Sequence, residues 1–227
     1  MKKVIITGST GMVGKGVLLE CLDNPKIAQV LVINRSSLQM RHAKLEEVLL
    51  SDFTKIASIS DTLKGYDACF YCMGVSAVGM SEKKYSAITY DTVKAFADVL
   101  HHVNPRMVFN YVSGSGTDST EQGSTMWARI KGKAENYVLN KGFKDVYCFR
   151  PGGIIPERGI KSKTGWYNAF YVVMRPFFPL LKKSRKITTT TKIGLAMINS
   201  LFHPQDLKQL ENPEINLLAE KVYKPCH

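Results

Sequence analysis

The chain has 227 residues, 44% of them hydrophobic and 22% charged, a globular balance with enough apolar content for one substantial core. No apolar run is long enough to span a bilayer. The short apolar stretch after Met1 is broken at once by Gly, Ser and Thr, so a signal peptide is not expected and a cytoplasmic location is. The net charge of +12 favours anionic partners, yet no nucleic-acid-binding motif accompanies it and no nucleic acid is expected.

In chain order, "KKVIITGS" is a β-branched run of the buried parallel type, ending in Thr-Gly. "MVGKGVLLECLDN" comes next with helical apolar spacing and stops at Asn24-Pro25. Between them lies "TGSTGMVG", with Gly8, Gly11 and Gly14 enclosing Thr10, Met12 and Val13. Gly8 permits a tight turn, Gly11 a close backbone approach to a pyrophosphate, and Gly14 close packing of the helix. The helix N-terminus adds free N–H groups and a positive dipole end for the phosphates. A strand before and a helix after give this glycine triplet its weight as a dinucleotide signal.

"AQVLVINR" is a second buried strand. Where an NAD-binding chain would place a carboxylate for the ribose hydroxyls, this one has Arg35, with Ser36 beside it. A guanidinium matches the 2′-phosphate of NADP in charge and fork geometry, so NADP(H) is expected over NAD(H). "KLEEVLLSD" reads as a third strand, "LKGYDACFYCMG" as leading into a fourth, and "EKKYSAITYDTVKAFADVLHH" as one long helix. Cys69 and Cys72 form a C-x-x-C within the fourth strand, where residues three apart face opposite ways, so they are read as core cysteines. The five cysteines do not form a disulfide framework, and the five histidines lack ligand spacing, so no metal site is expected. His101 and His102 suit a helix C-terminus.

"RMVFNYVSGSG" is a fifth strand, "WARIKGKAENYVLNKG" a helix ended by Gly142, and "KDVYCFRPGGI" a sixth strand. The alternation predicts an α/β, doubly wound parallel Rossmann sheet over 1–155, with a small substrate or cover region over 156–227 packed on the same domain. In that region, "TTTTKIGLAMINSLFHP" reads as a capped helix and the remainder as a short tail.

The motifs "TGSTGMVG", "NRS", "SDF", "CMG", "VSGSG", "KGKAE" and "RPGGI" resemble the short-chain dehydrogenase/reductase superfamily. The likeness is to its extended and atypical members, NmrA-like NAD(P)H-binding proteins and nucleoside-sugar epimerase-like proteins. It covers residues 2 to 155 well and the Thr-rich helix more loosely. The resemblance implies that Asp52 and Phe53 sit near the adenine, and that Cys72, Met73 and Gly74 border the adenosine half of the cofactor. It implies that Ser115 or Ser113 holds the substrate oxygen and that Lys131 holds the nicotinamide ribose. Pro151, Gly152 and Gly153 would line the nicotinamide pocket.

The superfamily's catalytic tyrosine stands four residues before the lysine, which lowers its pKa so that the phenol passes a proton. Here that place is Trp127, whose indole donates a hydrogen bond but is no acid near neutral pH. Three explanations stay open: the lysine is retained for the cofactor alone; the acceptor is a flavin or quinone that needs no strong acid; or Tyr167, Tyr171 or Ser115 supplies the proton. The expected function is an NADPH-dependent oxidoreductase with a small-molecule acceptor. Its alternatives are a non-catalytic NADP(H) sensor or scaffold and, third, a nucleotide-sugar epimerase. The resemblance further implies that the segment with Trp166, Tyr167, Phe170 and Tyr171 covers the nicotinamide end, where these rings would stack on a flat acceptor. Phe177, Phe178, Leu180 and Leu181, beside Lys182, Lys183, Arg185 and Lys186, suit core packing, an acidic membrane surface or a partner interface such as a homodimer's, although Pro176 and Pro179 break any long amphipathic helix.

Overall fold

The structure, a computed structural model, describes residues 1–160 and 184–221. Its first strand, β1 (Lys2–Thr7), runs directly into the glycine loop and then into α1 (Met12–Asp23). Next come β2 (Ile27–Asn34), β3 (Leu45–Leu49), a kinked 3₁₀ stretch (Phe53–Leu63) and β4 (Ala68–Tyr71). The strands β1 to β6, with β5 (Val108–Val112) and β6 (Asp145–Arg150), pair in parallel in the order β3-β2-β1-β4-β5-β6, and β9 (Gln209–Glu211) completes a seven-stranded sheet beside β6. Chain order reverses between β1 and β4, and at such a switch open parallel sheets have their ligand crevice.

Alternation along β1 divides the core. Val4 and Ile6 face one layer, where α1 packs with α5 (Thr190–Asn199) and α6 (Asn212–Ala219). Ile5 faces the other, with the 3₁₀ stretch, α3 (Thr92–Val103) and α4 (Met126–Leu139). Helices thus cover both faces, as expected of a doubly wound sheet. Cys69 lies in the second layer and Cys72 packs against the first, so the C-x-x-C straddles the sheet. His101 and His102 lie in the last turn of α3.

Three elements differ from the sequence reading. The long helix is divided into α2 (Glu82–Ser86), a π turn (Ala87–Asp91) and α3. Periodicity cannot reveal a single widened turn. The sixth strand stops at Arg150, because Pro151 has no N–H to continue the ladder. Gly153–Ile155 then forms a separate strand, β7, paired in parallel with β8 (Ile187–Thr189). The supposed tail is β9 and α6. A three-residue strand carries no alternation signal, but Pro213 in the first turn and the reciprocal capping of Glu211 and Glu214 mark the helix start. The Thr-rich helix does begin as read, with Thr189 capping the Lys192 amide at 3.1 Å.

Candidate functional site

Gly8 has φ +69, and a Cβ there would lie 2.7 Å from the Cys72 carbonyl and the Met73 amide at the end of β4. A Cβ on Gly14 would lie 2.2 Å from the Gly8 carbonyl oxygen. Gly14 is therefore demanded by the turn itself, whereas the sequence suggested packing on the sheet. Gly11 donates its N–H to the Gly8 carbonyl at 2.8 Å and begins α1 without a side-chain cap. Met12 and Val13 come next, in the first helical turn. The result is a backbone cradle at a helix N-terminus, the arrangement that receives phosphate.

Beside this cradle lies a cavity of about 510 Å³. It gathers Gly8, Thr10 and Gly11 from the first loop, Arg35 and Ser36 from the end of β2, Asp52 and Phe53 after β3, and Cys72, Met73 and Gly74 after β4. Arg35 is exposed, and among the described residues its guanidinium makes no ion pair or side-chain hydrogen bond. Asp52 Oδ1 accepts from the Thr54 amide and hydroxyl, at 3.0 and 2.7 Å, so it also caps the 3₁₀ stretch. These bonds hold its carboxyl below the usual range. Burial pushes the Cys72 thiol well up, which leaves it a neutral wall. The sequence reading missed Ala87, Ile88 and Thr92, which the π turn brings to the same cavity. Thr92 also accepts from the buried Tyr71 hydroxyl at 3.0 Å.

The remaining predicted residues form a second group, at the ends of β5 and β6. Ser113 is buried, and its hydroxyl donates to Glu135 Oε1, with the Phe149 carbonyl oxygen at 3.3 Å. The Ser113 hydroxyl is thus engaged within the protein. Ser115 is the exposed hydroxyl of the pair; its amide donates to the Pro151 carbonyl at 3.2 Å, and a Cβ on Gly152 would lie 3.4 Å from its own Cβ. Gly152 and Gly153 are tied in turn to Asn212 at the start of α6, through bonds of 3.3 and 3.2 Å.

Lys131 is partly buried, and its ammonium donates to the Ser113 carbonyl. Burial lowers its pKa to about 8, opposed by the Glu135 carboxylate one helical turn further on. Glu135 has no exposed surface and is held bidentately by Arg150, whose Nε lies 3.0 and 3.2 Å from the two oxygens. Sequence reasoning missed both partners, although the four-residue spacing of Lys131 and Glu135 was a readable signal. Trp127, one turn before Lys131, packs its ring edge 3.4 Å from where a Gly116 Cβ would stand. The indole thus lies against the loop after β5.

Trp166, Tyr167, Phe170, Tyr171, Phe177, Phe178, Leu180, Leu181, Lys182 and Lys183, with Pro176 and Pro179, lie outside the described residues. Arg185 and Lys186 lie just before β8 and are exposed. No helix among the described residues is long and apolar enough to cross a membrane.

The strand order, the cradle at the switch point and the two residue groups along the carboxyl edge define a Rossmann-type protein of extended short-chain dehydrogenase/reductase architecture. The model of the NAD dependent epimerase/dehydratase family matches residues 4–132, more than half the sequence, and the chain belongs to that family. It is 27% identical over 221 residues to protein HTATIP2 of Rattus norvegicus, covering 94% of this chain and 88% of that one. It is 28% identical over 165 residues to "Protein fmp52, mitochondrial" of Emericella nidulans, covering 70% and 69%. Among solved structures, the Bordetella bronchiseptica enzyme WbmH in complex with NAD+ matches with a TM-score of 0.66 at 15% identity, over 93% of this chain and 75% of that one.

Proposed function

We propose that the chain binds NADP(H) in preference to NAD(H) and acts as an NADPH-dependent oxidoreductase whose acceptor, a flavin, quinone or carbonyl, is not protonated by a tyrosine one helical turn before Lys131. The observation that carries the preference is Arg35: an exposed cation without an ion-pair partner among the described residues, at the rim of the cavity beside the glycine cradle. There it suits a 2′-phosphate. A nicotinamide dinucleotide, when bound, supplies hydride transfer. The chain's own residues do the rest: the cradle receives the pyrophosphate, Lys131 holds the ribose, and Ser115 orients the acceptor. Lys131 needs no phenol for its part, which is why it persists beside Trp127.

The second reading is a non-catalytic NADP(H) sensor, favoured by the indole packed where the catalytic acid would stand. Epimerisation, which the family's name suggests, relies on the same missing tyrosine. Buried free thiols at Cys21, Cys69 and Cys148 suit a reducing compartment such as the cytoplasm; cell fractionation that recovers the protein with mitochondria would move it there. Fluorescence titration with NADPH and NADH, then addition of flavin, quinone and aldehyde acceptors, tests the function. Tight NADPH binding with turnover supports the oxidoreductase. Tight binding without turnover on any acceptor favours the sensor, and no binding removes both.

A further inference from the structure

Strand β3 is the edge of the sheet, and Glu47 lies in its middle, opposite Val32 of β2. A half-buried carboxylate on an edge strand needs partners. Those of Glu47 converge from one place, the end of β2 and the turn after it. Its Oε1 accepts from Asn34 Nδ2 at 3.0 Å and from the Leu38 amide at 2.9 Å, and its Oε2 accepts from the Ser37 hydroxyl at 2.7 Å. Asn34, 2% exposed, passes the linkage inward: its Oδ1 accepts from the fully buried Ser9 hydroxyl at 2.9 Å. Ser9 directly succeeds Gly8. One relay therefore joins the phosphate cradle to the turn after β2 and to the edge strand.

Arg35 and Ser36 are the two residues of that turn that reach the cavity, and both flanking residues, Asn34 and Ser37, are bonded to the same carboxylate. Burial alone would raise the Glu47 carboxyl, but the bonds from Ser37, Asn34 and Leu38 outweigh it and hold the group below its ordinary value. The carboxylate therefore stays charged while it faces the turn and not the cavity. In Rossmann sites for NAD, a carboxylate near this corner accepts the ribose hydroxyls. Here the nearby carboxylate has both oxygens engaged by the chain.

We propose that Glu47 is the positioning residue that sets cofactor specificity: it fixes the Arg35–Ser36 turn so that the guanidinium faces a 2′-phosphate, and its own carboxylate is withheld from the ribose. The inference rests on the NADP(H) preference proposed above.

Both dinucleotides are titrated against wild type, Glu47→Gln and Ser37→Ala. Glu47→Gln keeps the size but replaces one accepting oxygen by an amide nitrogen. The NADPH dissociation constant is expected to rise about tenfold, the effect of one charged hydrogen bond, with NADH nearly unmoved. Ser37→Ala, which leaves the charge in place, shifts the ratio in the same direction by less. A merely structural role would weaken both dinucleotides alike, or neither. A preference for NADPH that survives Glu47→Gln unchanged, or grows, overturns the inference. A wild-type chain that binds both equally overturns the cofactor preference itself; Glu47 then keeps only a role in shaping the pocket if Glu47→Gln weakens both, and none if it weakens neither. A chain that binds neither dinucleotide overturns both proposals.

Discussion

The two ends of the sheet's carboxyl edge are built by opposite means. Around β1, β2 and β4 the wall is mostly backbone: Gly8 and Gly14 leave no room for a Cβ, and Arg35 stands without an ion pair among the described residues. Around β5 and β6 the wall is a linked group of side chains: Ser113 and Arg150 both bond Glu135, and Lys131 bonds the Ser113 carbonyl. The first end is ready for a ligand. At the second, the buried Glu135 charge is compensated by Arg150. The two ends can therefore be perturbed one at a time.

The sharpest way to break the comparison is at the compensated end. Arg150→Met leaves the Glu135 charge buried without its counter-ion, and urea unfolding should report a loss of about 3–5 kcal/mol. Combining it with Glu135→Leu should recover most of that loss; a double variant as weak as the single would mean that packing, not charge, dominates. At the open end, Arg35→Glu should leave stability within about 0.5 kcal/mol. It should weaken NADPH by about 10²-fold while sparing NADH, as expected for a lost charged pair worth roughly 2–3 kcal/mol. Equal losses for both would mean that Arg35 does not meet a 2′-phosphate.

Lys131 gives a smaller, pH-dependent effect. Its folded pKa of about 8 lies below the ordinary 10.5, so between these values the unfolded chain holds the extra proton. Stability should therefore rise with pH across that window, by at most about 1.4 kcal/mol per pH unit, and be flat in this respect below it. Lys131→Met should remove that slope from melting curves taken between the two pH values; identical slopes would place the ammonium in water. Trp127→Tyr trims a partly exposed ring and should cost under about 1 kcal/mol of stability. If proton donation is all that ordinary carbonyl reduction lacks, this variant reduces aldehydes with NADPH and the parent does not.

The glycine loop, the strand alternation and Arg35 were legible because each depends on local spacing or on one residue type with one conformational purpose. Lys131 was legible from a resemblance, but its environment was not. The Glu135–Arg150 pair joins residues from a helix and a strand, and only the folded sheet brings them within 3.0 Å. Glu47 was hidden for a related reason: on an edge strand, a charged residue reads as solvated, and nothing local says that Asn34, Ser37 and Leu38 converge on it. The π turn was invisible because it changes the phase of a helix by a single residue.

The close contact between α1 and α5 has a consequence for how the protein comes into being. A Cβ on Gly16 would lie 2.6 Å from the Thr190 side chain, and one on Gly194 would lie 2.7 Å from Glu20. The helix that presents the cradle is thus packed by a segment that is translated about 170 residues later. Until α5 is made, the face of α1 around Gly16 and Glu20 is left uncovered, so the final packing of the helix behind the glycine loop waits for the last third of the sequence.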